Sequence, residues 1–263
     1  MKKYALAIMV ALPIILSPII IIMLSVGISA TSGKVVGSIG LPIFELPFIL
    51  LYILIIKKIW KFNFGFRTKI KPIPFMAIIS MLAIVLVNII TSKSMDVIFN
   101  VLPSGQIFLA VIVAFVSSLV IGIFEEVVFR GVMFNYFVFL FRKSNKSILL
   151  AGLLSSIIFG LLHIINALYG GAEWAYTLYQ VAYASALGFL FAMVYVQTKN
   201  IVAPILLHML IDWSDLFFNI AGEPSMSGVS WSPIILTIIF VISGALLYRN
   251  IEINTLSTIG FSD

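Results

Sequence analysis

Eight stretches of about twenty apolar residues govern what this chain can fold into. They lie at about 5–28, 36–56, 73–91, 107–130, 147–166, 174–197, 201–220 and 232–248. About 20 consecutive apolar residues suffice for one helix to cross a hydrocarbon core. The chain is therefore expected to be all-α, a polytopic membrane protein with about eight transmembrane helices. Composition agrees, with 62% hydrophobic and only 10% charged residues, where soluble domains carry about 25% charged. No hydrophilic stretch is long enough to form a soluble domain, so the chain reads as one membrane unit. The absence of cysteine excludes disulfides, thiolate metal sites and cysteine nucleophiles.

In a soluble protein a net charge of +6 points to nucleic acid. Here the placement of the basic residues reports topology instead, and no nucleic-acid partner is expected. With the N-terminus inside, the inner segments receive Lys2, Lys3, Lys57, Lys58, Lys61, Arg67, Lys69, Lys71, Arg142, Lys143, Lys146, Lys199 and Arg249. The outer loops receive only Lys34 and Lys93. Positive charge collects on the cytoplasmic side, so both termini are expected there. The first apolar run follows "MKK" but exceeds a signal-peptide core in length, which favours an uncleaved anchor. The stretch 107–141 is too long for one span, and "VMFNYFVFLF" is expected to continue it as an interfacial helix.

Few polar groups remain inside the apolar runs: Glu45, the cluster Glu125, Glu126 and Arg130, then His163, and His208 with Asp212. Ionisable residues within a membrane mark functional sites by default. Glu126 and Arg130 are four apart and share a helix face, acid first, as an ion pair would. Glu125 points about 100° away and is left available for acid–base work. Phe159 and His163 share a face of the fifth run, and His208 and Asp212 share a face of the seventh. An acid one turn from a histidine can orient the imidazole. Glu45 stands alone near Pro42 and Pro47, which reads as a structural or interfacial residue. Counting inward at about 1.5 Å per residue puts His208 roughly 12 Å and His163 roughly 24 Å from the cytoplasmic loops, although a shared site needs them close together.

The motifs "EEVVFR", "FGLLH" and "HMLID" occur in that order, as E-E-x-x-x-R, F-x-x-x-H and H-x-x-x-[ND]. The chain thereby resembles the CPBP family of intramembrane proteases, which includes CAAX prenyl endopeptidases and bacteriocin-processing or Abi-type proteins. The resemblance implies a catalytic helical core at 105–220, preceded by motif-free helices at 1–104 and followed by a last helix and short tail at 221–263. It implies that Glu125 and His163 activate a water and that His208 and Asp212 serve an oxyanion. Glu126, Arg130 and Phe159 are left as structural support. The third motif ends in Asp212 where CAAX-type enzymes more often show Asn. An ionised Asp cannot donate to an oxyanion, so Asp212 is expected to orient His208.

The expected activity is endopeptidase cleavage of a membrane-associated peptide or protein precursor in a bacterial plasma membrane. The cofactor is left open between none and one divalent metal, zinc by ligand type, held by Glu125, His163 and His208 as in a metalloprotease. The alternative is a non-catalytic membrane scaffold or bacteriocin-immunity protein of the same family. A proton-coupled transporter would be expected to show broken helices or paired repeats, and the sequence has neither.

Overall fold

A computed structural model describes residues 42–54, 71–91, 104–168, 171–221 and 232–251, and the regular structure among them is helical throughout. Helix α1 is Pro42–Leu54 and α2 is Phe75–Thr91. α3, Ser104–Glu126, runs without a break through widened turns at Val127–Phe134 into α4, Asn135–Leu140. α5 is Ser147–Leu162, followed by a single helical turn, α6, Ile165–Leu168. α7 is Trp174–Thr198, α8 is Val202–Ala221 and α9 is Ser232–Arg249.

Among the described residues, four helical stretches are long and apolar enough to cross a membrane: Ile107–Leu140, Ser147–Leu168, Trp174–Thr198 and Ser232–Arg249. Shorter apolar helices lie at Pro42–Leu54 and Phe75–Ile90, and α8 coincides with the seventh apolar run. The protein is thus an all-α polytopic membrane protein, and among the described residues the full-length spans number fewer than the eight expected. The first apolar run lies outside the described residues.

The packing centres on α7. From Ala186 to Val196 every residue of α7 is buried, which is how a helix apolar all round behaves at the middle of a bundle. α5 packs along α7, α9 packs along it as well, and α3 packs along α8. Small residues permit close approach where lipid gives no hydrophobic drive between helices. A Cβ on Gly160 of α5 would run into Ser185 Oγ and the Val181 carbonyl of α7, and one on Gly244 of α9 would meet the Phe189 ring. Polar contacts join other pairs: Ser80 Oγ donates to Ser243 Oγ at 2.9 Å, and Asn88 Nδ2 to Ser214 Oγ at 2.9 Å.

The turn between α7 and α8 is short and fully bonded. Lys199 takes the left-handed conformation, φ 55°, and its N–H reaches the Tyr195 carbonyl, as at many helix C-termini. Asn200 Oδ1 then accepts from Val202 N at 2.8 Å, capping α8.

The widened turns after Glu126 explain why the stretch 107–141 does not end with its acidic motif. Widened turns weaken the usual carbonyl pairing, and Asn135 supplies donors: its Nδ2 bonds the carbonyls of Arg130 (2.7 Å) and Gly131 (3.0 Å). The "VMFNYFVFLF" segment continues the helix as expected, with Val132, Met133, Phe134 and Asn135 buried in the bundle and the residues after them partly exposed.

Candidate functional site

Helix α3 delivers the acidic motif to α8 at close range. A Cβ on Gly122, one turn before Glu126, would lie 3.3 Å from Met209 N and 3.4 Å from the Ile205 carbonyl. Glycine here lets the two backbones approach at the level of His208. The two glutamates then flank the imidazole. Glu126 Oε1 is 2.8 Å from Nδ1 and Glu125 Oε2 is 3.1 Å from Nε2. Adjacent helical residues diverge by about 100°, which suits them to opposite edges of one ring. With a carboxylate at each nitrogen, both nitrogens act as donors, as they do in the doubly protonated ring.

Behind this group sits Arg130, fully buried. Its Nη1 donates to Glu126 Oε1 at 2.6 Å, and its Nη2 to the Gly188 carbonyl of α7 at 3.0 Å. The guanidinium lies 5.1 Å from the Phe159 ring centroid and 5.4 Å from that of Phe191, where cation–π attraction adds to the pair. The Glu126–Arg130 pair read from the spacing is present, and Glu126 serves His208 as well.

His163 closes α5. Its Nδ1 is 3.1 Å from the Phe159 carbonyl. A carbonyl only accepts, so Nδ1 carries the hydrogen, and Nε2 is the nitrogen that bears the lone pair in the neutral ring. The Phe159 ring meets the His163 ring at 5.1 Å and the His208 ring at 5.9 Å, edge-on to both. Both histidines line one cavity of about 410 Å³, together with Glu125 and Asp212. The two thus share a site despite their unequal distances from the loops along the chain.

Glu125 hydrogen-bonds His208 and lines the cavity together with His163. Asp212 Oδ2 stands 3.6 Å from Nε2 of His208, while Nδ1 is held by Glu126. The side chains of Glu125 and Asp212 are 24% and 25% exposed while that of His208 is 4% exposed, so the two carboxyls are the accessible part of the cluster.

Glu45 is the residue whose place the sequence left unseen. It is 3% exposed, so it is not interfacial, and it lines the same cavity from α1. An acid within an apolar run was the available signal, and nothing in its helix pointed to α3 or α8.

The proposed metal ligands were tested against this geometry. His208 spends Nδ1 on Glu126 and turns Nε2 to two carboxyls, and His163 spends Nδ1 on a carbonyl. Among the described residues, no three histidine or acidic side chains converge to hold a metal ion. The set Glu125, His163 and His208 does not fit a metal as arranged.

An all-helical membrane protein with acids and histidines gathered in one cavity is the class defined so far. Within it, residues 106–214 match the family model of type II CAAX prenyl endopeptidase Rce1-like proteins. All three motifs fall inside that segment, so the chain is similar to that family over this part of its length. It is also similar to YdiL of Bacillus subtilis (strain 168), which carries the name of a membrane peptidase, at 36% identity over 97 residues. That match covers 37% of this chain and 33% of the relative, so the chain spans about a third of the relative's length. No solved structure matches.

Proposed function

We propose that the protein is an intramembrane endopeptidase that cleaves a membrane-associated peptide or protein precursor, with Glu125 as general base. The observation that carries this reading is the single cavity lined by Glu125, His163, His208 and Asp212. The site lies in the family-matched segment, and the family contains endopeptidases.

The chemistry follows from the donor and acceptor inventory. The Glu125 carboxylate takes a proton from water, and the oxygen attacks the scissile carbonyl carbon. The His163 Nε2 lone pair accepts the water's other hydrogen and orients it. The carbonyl oxygen becomes an oxyanion and needs a donor. A carboxylate cannot serve, so the donor is the Nε2–H of His208, held in direction by Glu126. Glu125 then passes its proton to the leaving nitrogen as the C–N bond breaks, which releases a carboxylic acid and an amine. Asp212 borders Nε2 and steadies the imidazole as the oxyanion forms and collapses. No step runs through a metal.

The cellular setting belongs to the same proposal: a bacterial plasma membrane with both termini cytoplasmic, where peptide pheromones or bacteriocin precursors would be at hand. The test compares peptide termini in cells carrying the wild type and Glu125→Gln at matched protein levels. Termini present with the wild type and missing with the variant are expected. Identical sets of termini would sink the reading.

A further inference from the structure

The mechanism above uses Glu125, Glu126, His163, His208 and Asp212, and leaves Glu45 without a task. Glu45 is nonetheless a buried acid, 3% exposed, on the wall of the same cavity. Its Oε2 has no hydrogen-bond partner among the described residues. A buried carboxyl oxygen without a partner is costly and calls for an explanation. Glu45 also lies within electrostatic reach of two further acids, Glu125 and Asp212, and of one base, His208.

The charge inventory of the cavity sharpens the point. Glu45, Glu125, Asp212 and Asp215 line it, and among the described residues no lysine or arginine does. The buried guanidinium of Arg130 already serves Glu126 and the Gly188 carbonyl. Glu125 and Asp212 face His208. Glu45 has no ion-pair or hydrogen-bond partner on Oε2 among the described residues, and the base in its electrostatic reach is His208, which already faces Glu125, Glu126 and Asp212. The same wall carries Ile84, Val87 and Leu236, apolar surface of the kind that accepts the aliphatic stem of a long basic side chain.

We propose that Glu45 is a specificity residue that receives a positively charged N–H group of the substrate, an ammonium or guanidinium close to the scissile bond. This rests on the peptidase reading and adds the substrate class to it. A cation there gives the unpartnered oxygen a charge-assisted hydrogen bond and offsets repulsion among the acids. Glu45 lies outside the family-matched segment, so this preference is a property of the chain's own N-terminal helices. The shared chemistry has two sources: a Lys or Arg side chain, or the free α-amino group of a short peptide.

The test uses the purified full chain in lipid nanodiscs and a synthetic library of randomised peptides, with cleavage products read by mass spectrometry. One half of the library has free amino termini and the other is acetylated. The wild type is expected to favour peptides with a cation at a fixed distance from the cut by about tenfold or more, the range of one hydrogen bond to a charged group. Persistence of the preference in the acetylated half assigns it to Lys or Arg, and its loss there assigns it to the α-amino group. Glu45→Gln is expected to flatten the ratio of cationic to neutral peptides, and Glu45→Asp to retain part of it. The ratio is independent of how much folded protein each variant yields. A wild type that cleaves without preference, or a preference undiminished in Glu45→Gln, overturns the inference while leaving the peptidase reading in place. A wild type that cleaves nothing while folded overturns that reading, and the inference with it.

Discussion

His208 has Glu126 at Nδ1 and both Glu125 and Asp212 towards Nε2, and each of those acids should fail differently when changed. Glu126 contacts both Arg130 and His208 through Oε1. Glu126→Gln leaves a buried guanidinium without its counter-charge, which costs about 3–5 kcal/mol where such pairs are broken. We expect a lower midpoint of thermal unfolding in detergent, whereas Glu125→Gln should unfold close to the wild type and lose cleavage. Asp212 stands off from the ring, so its charge matters less than its bulk and polarity. Asp212→Asn should keep substantial activity, and Asp212→Ala should lose roughly 10²–10³-fold if the oxyanion donor loosens. Equal losses for Asn and Ala would count against a positioning role. The i, i+4 rule made the Glu126–Arg130 pair legible, and the order of the motifs singled out side chains that line one cavity. That both glutamates grip one imidazole was not legible, because the ring arrives from a helix 82 residues further on.

At the scale of the helix, the sites of close approach fix where the functional side chains stand. Gly160 lies three residues before His163, and any side chain there strikes the α7 backbone. Gly160→Ala should destabilise by about 1–3 kcal/mol through overpacking and shift His163, so cleavage should fall further than unfolding alone accounts for. Activity measured per folded molecule checks this, and an unchanged value would show that His163 keeps its place. The apolar runs told where helices lie, since length and hydropathy are local properties. They did not tell that one helix widens after Glu126. That depends on Asn135 reaching back to two carbonyls and on to the Tyr195 hydroxyl at 3.2 Å, a tertiary contact that a helical pattern does not encode.

At the scale of the whole molecule, orientation and metal dependence are open to direct measurement. The topology proposed from the basic residues puts the segments near 144 and 199 on the cytoplasmic side and the connection near 172 on the other. Reporter fusions at those points should divide that way, and a cytoplasmic signal at 172 would break the topology. A site without converging metal ligands should keep its activity after dialysis against a chelator. One zinc per chain by elemental analysis, lost together with activity in His163→Ala, would overturn that expectation.

Arg130 has a further consequence. The site is assembled from two helix pairs, α3 with α8 and α5 with α7. Each pair is tightly keyed within itself by glycine, at Gly122 and at Gly160. The bond from Arg130 to the Gly188 carbonyl crosses from one pair to the other, so a single guanidinium acts as a rivet across a mechanical seam. Lysine offers one nitrogen where arginine offers a fork. Arg130→Lys should therefore preserve the charge beside Glu126 while releasing the rivet. Hydrogen exchange should then rise along the facing surfaces of α3 and α7 and stay level between α5 and α7.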